Sequence, residues 1–517
     1  MKILLVPIDD RPVTYTFPQL ICKSAHVEPI VPPRAMMGSL TRAAQIEELF
    51  AFCENAVSKS APDAAVICLD SLLYGGLITS RRTNDDLKTI QDRFERIKKW
   101  RQLAQANGSK LVIYAQSSIM RISDNYDNTE EKEYWQTYGR ELFEWSACLH
   151  RLSRSAADGD AKLIPGMLQS LESKIPEAIR KDYLDTRIRN FSVNQLILRS
   201  LANKATDKNK DNSVLDYLVF SQDDSGEFGL NVSEKERLLN EAQNLGLSDK
   251  VTAYAGADEV ACTLIARALI DHVVKKDGER ARPVFAVAFS PRQTQSVASR
   301  YEGQKIGSTV ESQLKASGVK FSIDDLTSPT FNLVVHGPSE RQGDHITLPG
   351  LPDLSQVDTR AAVESTLECL KEAQGDCIVV DVAYANGGDP LLVEALFDQP
   401  EALKKVKSYA GWNTTGNTMG SAIALAIATW YSRLGEGSPE AITLQQKQCL
   451  FTRLLDDWAY QSKVRKILNG ETSTQKLAEQ ISPYVKTISA AINIEPRVRL
   501  SFPWRRAFEI EIGFEGN

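Results

Sequence analysis

Short apolar runs alternate along the chain with longer amphipathic stretches. The runs are "KILLVPI" (Lys2 to Ile8), "HVEPIV" (His26 to Val31), "AAVICL" (Ala64 to Leu69), "KLVIYA" (Lys110 to Ala115) and "LDYLVFS" (Leu215 to Ser221). They continue with "KVTAYA" (Lys250 to Ala255), "VFAVAFS" (Val284 to Ser290), "FNLVVHG" (Phe331 to Gly337), "CIVVDVA" (Cys377 to Ala383) and "VKSYAGW" (Val406 to Trp412). Apolar character without alternation is what a strand buried on both faces needs, and parallel sheets covered by helices provide that burial. Helical periodicity fills the gaps, as in Asp85 to Ala106, Glu130 to Ser153, Ser192 to Leu201 and Ser233 to Asn244. This order predicts an α/β fold. Residues 1–280 are expected to form a (β/α) barrel-like parallel sheet carrying the catalytic region. Residues 281–435 are expected to form a second α/β lobe, or to complete the barrel, and to contribute to the site. Residues 436–517 read as a helical C-terminal region ending in a strand pair or arm. The polar run from Asp207 to Asn212 reads as a solvated loop.

Composition narrows the function classes. With 42% hydrophobic and 25% charged residues in 517, the chain has ordinary globular character. A net charge of −6 leaves no electrostatic footprint for nucleic acid. No apolar stretch reaches the roughly 18 residues a membrane helix requires. The opening "MKILLVPIDDRP" loses its apolar run at Asp9 and Asp10, with no small-residue cleavage site after it. The expectation is a first buried strand in a cytoplasmic protein, not a signal peptide. Eight cysteines include no Cys-x-x-Cys pair, and only five histidines occur, so neither zinc nor a disulfide framework is expected. Of the histidines, His336 falls at the end of an expected strand.

Chemically capable residues gather where the runs end. Asp9, Asp10 and Arg11 follow the first, and Asp70 and Tyr74 the third. Gln116 and Arg121 follow the fourth, and Gln222, Asp223 and Asp224 the fifth. Asp258 and Glu259 come next, then Asp381, Asn386 and Asp389, and finally Trp412 and Asn413. In α/β folds the carboxyl ends of parallel strands are where sites form. The competing explanation is local: Asp, Asn, Ser and Gly are the ordinary residues of turns and helix caps. At Asp258 the capping explanation is preferred, since an amphipathic helix follows directly. For Arg11, an ion pair that braces its own loop competes evenly with substrate contact. Caps do not account for Arg121, for the glutamine ahead of two adjacent acids, or for an aromatic beside Asn413.

Several motifs together, "VPIDDRPVTYTFP", "FSQDDSGEFG", "AGADEVA", "DVAYANGGDP", "AGWNTTGNTMGSAIA" and "FPWRRAFE", resemble a bacterial family known only as domain of unknown function 4127. The likeness spans nearly the whole chain and carries no settled activity with it. A narrower one is chemically richer. "VFSQDDSGEFG" is similar to the strand and Asp-Asp segment of glycoside hydrolase family 84, the β-N-acetylglucosaminidases built on a (β/α)8 barrel. That resemblance implies a substrate-assisted retaining mechanism, in which the sugar's own acetamido oxygen attacks the anomeric carbon. Asp223 would then orient the acetamido group and Asp224 would act as general acid and base. Trp412 and Asn413 would help hold the sugar.

The reading from these observations is a glycoside hydrolase that releases a terminal sugar from a small or oligosaccharide substrate without a cofactor; that the sugar is N-acetylated is what the resemblance implies. Asp223 and Asp224 are its catalytic residues, and the remaining strand-end residues contact substrate. Two other classes stay open. A divalent-metal hydrolase would use Asp9, Asp10, Asp70, Asp223, Asp224, Asp258 and Asp381 as oxygen ligands to Mg²⁺ or Mn²⁺, with Arg11 and Arg121 clamping an anion. A non-catalytic sugar-binding protein would hold its ligand and never turn it over.

Overall fold

The computed structural model describes residues 1–154, 163–202, 213–323, 328–346, 353–435 and 439–515. The loop expected at Asp207 to Asn212 lies outside them. Among the described residues, fifteen strands are β1 (Lys2–Val6), β2 (Glu28–Ile30), β3 (Ala64–Cys68), β4 (Val112–Ile119), β5 (Tyr217–Gln222), β6 (Val251–Ala255), β7 (Val284–Ser290), β8 (Lys320–Ile323), β9 (Phe331–His336), β10 (Gly343–Asp344), β11 (Cys377–Asp381), β12 (Tyr384–Ala385), β13 (Val406–Ala410), β14 (Val498–Ser501) and β15 (Glu511–Phe514).

Two compact units divide the described chain. The first comprises Met1–Asp10, Ile30–Ala257 and Tyr301–Gly303, and the second comprises Arg11–Pro29, Asp258–Arg300 and Gln304–Asn517. The first large sheet has six strands in the order β2-β1-β3-β4-β5-β6. Its pairings β1·β3, β3·β4, β4·β5 and β5·β6 are all parallel. Every residue of β3 and β5 is buried, as their unbroken apolar runs demand. The sheet is open, with β2 and β6 at its edges. The expected barrel is therefore replaced by an open α/β sheet. An apolar run reports burial on two faces equally well in either architecture, so the pattern could not separate them.

The second unit holds a five-stranded parallel sheet ordered β13-β11-β9-β7-β8. Edge strand β8 was missed in the sequence because it is only half-buried and never forms an apolar run. Helix Thr415–Ser432 is buried along almost its whole length, and its Ala and Gly residues suit that burial. A core of Val334, Leu392, Phe451, Leu455 and Trp458, among others, joins this sheet to the helices beyond residue 439. Within these, Leu454–Val464 is an eleven-residue π-helical stretch. The chain's last pair, β14 and β15, is antiparallel. All eight cysteines are free thiols, seven of them buried. No helix among the described residues is long and apolar enough to cross a membrane.

Candidate functional site

Three neighbouring strand ends of the first sheet build one charged cluster. The last rung of the β4·β5 ladder pairs Ile119 with Gln222. Arg121 therefore leaves its strand level with Asp223 and Asp224. The third contributor comes from beyond β3, where Gly75 and Gly76, both at positive φ, turn the chain into helix Leu77–Arg82 and its buried Arg81.

Adjacent residues in an extended strand point to opposite faces. Asp224 escapes that rule by adopting φ +38, in the left-handed region that a side chain with a Cβ rarely enters. Both carboxylates then meet one guanidinium: Arg121 Nη1 lies 3.1 Å from Asp223 Oδ2 and 3.1 Å from Asp224 Oδ2. Arg81 Nη2 donates to Asp223 Oδ2 at 2.8 Å. Glu131 braces both arginines, accepting from Arg121 Nε at 2.7 Å and from Arg81 Nη1 at 3.2 Å. Glu130 pairs with Arg121 Nη2 at 3.2 Å.

Exposure separates the two acids from their supports. Arg81 and Glu131 keep only 1% and 2% of their side-chain surface, whereas Asp223 keeps 23% and Asp224 37%. Close packing, and then the charge of Asp223, push the Asp224 carboxyl up to about 7, against the pull of Arg121. Water at the exposed third of the side chain tempers the first of these causes. Burial opposes the charge on Arg121, but Asp223, Glu131, Glu130 and Asp224 hold its pKa well above the usual value.

The other expected residues of this unit are taken up by the fold in different ways. Asp70 is buried, and its Oδ2 accepts from the Ser118 backbone N–H at 2.9 Å. Burial raises its carboxyl despite that bond. Tyr74 is buried beneath Arg189, whose guanidinium lies 5.8 Å from the ring centre, and burial followed by Asp70 raises its hydroxyl. Gln116 spans the sheet, donating to Ser221 Oγ at 3.1 Å and to the Ala257 carbonyl at 2.8 Å. Gln222 donates to the Asn231 carbonyl at 3.2 Å, and its buried Oε1 meets no donor among the described residues. Asp9 is buried at the end of β1, and the Asp10 N–H donates to the Gly38 carbonyl at 3.0 Å.

The remaining residues belong to the second unit. Arg11 forks onto Asp258, with Nη1 to Oδ2 at 3.0 Å and Nη2 to Oδ1 at 2.5 Å, and both side chains are buried. The brace at Arg11 thus reaches a residue 247 positions away. The cap expected at Asp258 is not made: helix Val260–Asp277 starts after Glu259 with no side-chain cap. Glu259 instead accepts from Gln313 Nε2 at 2.6 Å. Asp381 is fully buried, accepting the Asp389 N–H at 2.6 Å and the Tyr409 hydroxyl at 3.0 Å. Asp389 caps helix Pro390–Phe397 and meets His336 Nε2 at 3.0 Å. Asn386 and Asn413 both sit in the left-handed region, which asparagine tolerates, and the Asn386 N–H donates to the Asn413 carbonyl at 2.8 Å. Trp412 is buried edge-on to Phe508.

Sequence reasoning found Asp223, Asp224 and Arg121 but missed Arg81, Glu130 and Glu131. The available signals are the arginine pair closing "YGGLITSRR" and the acid pair at Glu130–Glu131, which the periodicity places in a helix. That helix begins only at Trp135, leaving the two glutamates in a loop. Among the described residues, no group of three His, Cys, Asp or Glu side chains is arranged to hold a metal ion.

Open parallel sheets with polar residues at their carboxyl ends define a mixed α/β protein with two such sheets. More particularly, the chain belongs to the family described as "Protein of unknown function (DUF4127)", whose model matches residues 3–513. Comparison with curated proteins and with solved structures yields no match.

Proposed function

We propose that the protein is a glycoside hydrolase that removes a terminal N-acetylated sugar, with Asp224 as general acid and base and Asp223 as the charged partner. One observation carries this reading: two adjacent carboxylates share the Arg121 guanidinium at a strand's carboxyl end, and Asp224 is pushed up to about 7. Acid catalysis at neutral pH needs a carboxyl whose proton is held to about that point. Substrate assistance is the glycosidase mechanism that dispenses with two carboxylates facing each other across the bond. Asp224 gives its proton to the leaving oxygen as the acetamido oxygen bonds to the anomeric carbon and the glycosidic bond breaks. The resulting oxazolinium is balanced by Asp223, which Arg81 and Arg121 hold in place. Water then opens the ring, losing its proton to Asp224.

The test is nitrophenol release from a panel of aryl glycosides, including β-N-acetylglucosaminide and β-N-acetylgalactosaminide, with and without EDTA. We expect turnover of an N-acetylated substrate that survives EDTA and falls as pH rises through about 7. Asp224→Asn should lower turnover of substrates with poor leaving groups by about 10²–10⁴-fold, and of activated aryl glycosides far less. Silence across the panel, with EDTA-sensitive release from an aryl phosphate, would refute the proposal.

A further inference from the structure

We infer that the segment Tyr301–Gly303 is a clamp that positions the Asp223–Asp224 loop, with Gly303 as its pivotal positioning residue. Its effect on turnover rests on the glycosidase reading, whereas its effect on the loop rests on geometry alone.

These three residues belong to the first unit, although the chain on either side, through Arg300 and from Gln304, belongs to the second. They meet the acid loop immediately after its catalytic pair. The N–H of Ser225, next to Asp224, donates to the Tyr301 carbonyl at 2.7 Å. Ser225 and Glu302 form a parallel β-bridge, and both are buried. The acid loop thus gains a single bridge from a segment remote in sequence.

Close approach of two backbones makes that bridge possible. A Cβ on Gly303 would sit 2.0 Å from the Gly226 carbonyl oxygen and 2.3 Å from its carbon, where contacts under about 3 Å do not occur. Gly303 also has φ +60, a conformation costly to any residue with a Cβ. Tyr301 adopts φ +63 without that freedom, and Asp224 lies at φ +38. Strained backbone on both sides of one contact persists only where the surroundings over-determine it, and such strain gathers at functional sites. Asn231 closes the loop from its other side, its Nδ2 lying 3.4 Å from Ser225 Oγ.

Hydrogen exchange and carboxyl titration test the clamp without requiring a substrate. In the wild-type protein, the Ser225 amide should exchange at least about a hundredfold more slowly than in an unfolded chain. In Gly303→Ala, exchange at Ser225 should quicken about tenfold or more. The Asp224 midpoint, read by carbon NMR of labelled aspartates and assigned with Asp224→Asn, should move from about 7 toward the ordinary carboxyl range as water enters. On an active substrate, kcat should fall by about a hundredfold with KM little changed, the signature of misplaced catalytic groups rather than lost binding.

A wild-type Ser225 amide that exchanges at the unfolded rate overturns the clamp, and this measurement decides alone if Gly303→Ala does not fold. A folded Gly303→Ala protein with an unmoved Asp224 midpoint overturns it equally. A shifted midpoint in a protein that cleaves no glycoside upholds the clamp and removes the glycosidase reading.

Discussion

Each unit places aspartates at the carboxyl ends of parallel strands, yet the two groups behave in opposite ways. In the first, Asp223 and Asp224 are partly open to solvent and lean on buried Arg81 and half-buried Arg121. In the second, Asp381 and Asp389 are fully buried, and their partners are a histidine, a tyrosine hydroxyl and backbone N–H groups. His336 extends that network through Thr366 Oγ1 at 2.8 Å to Ser290 Oγ at 3.0 Å. Burial, followed by the nearby Asp389, pushes Asp381 up to about 6 against the pull of His336. A perturbed carboxyl is thus common to both groups and cannot by itself mark a site. What distinguishes the first group is that its acids stay partly open to solvent on the buried support of Arg81 and Glu131.

The largest effect expected from this contrast lies in the second unit. Asp389→Ala leaves His336 buried beside a missing carboxylate and uncaps helix Pro390–Phe397. Breaking a buried ion pair from one side costs about 3–5 kcal/mol. Denaturant unfolding should show that loss, while turnover by the folded fraction stays at the wild-type value. Asp389→Asn keeps an N-cap oxygen and should recover about 1 kcal/mol of the loss. A turnover defect in the folded Asp389→Asn protein would erase the distinction between the two groups.

A smaller effect, on catalysis, is expected at Arg81. Arg81→Met removes one of the two cations on Asp223 and one of the two on Glu131. Turnover should fall about tenfold, as expected when one charged hydrogen bond is lost. The pH profile gives the sharper readout. Arg81 is among the groups that lower Asp224, so without it the Asp224 proton is held more tightly. The alkaline limb of activity should therefore move to higher pH. A limb that stays put would reduce Arg81 to a structural brace, like His336.

The same contrast explains what was legible in the sequence. All ten apolar runs became strands, and in β3, β5 and β11 burial on two faces accounts for the unbroken apolar signature. Half-buried β8 leaves none. Asp223 and Asp224 were visible because they are adjacent, and Arg121 because a cap does not need an arginine. Arg81 and Glu131 were invisible because the register of three strands, not sequence spacing, brings them together. Asp381 and Asp389 looked as good as Asp224 because a sequence does not record which strand end is covered. Closure of the first sheet was beyond reach for a similar reason: a doubly buried strand looks alike in a barrel and in an open sheet.

The smallest effect asks whether Asp224 sits in its site at a cost. Its folded-state carboxyl titrates near 7, above the roughly 3.9 of an unfolded aspartate. Between those values the folded state binds more protons than the unfolded state. Stability from this group is therefore full below about pH 4 and is lost as pH rises through 7. Asp224→Asn removes the charge and with it that loss. Because 37% of the side chain is exposed, solvent screening keeps the gain small, about 1–2 °C in Tm at pH 8, with no gain at pH 4. A variant that is more stable but less active at pH 8 is the behaviour of a residue kept for chemistry. Equal destabilisation at both pH values would instead make Asp224 a structural partner of Arg121, and the two acid groups would then differ only in how deeply they are buried.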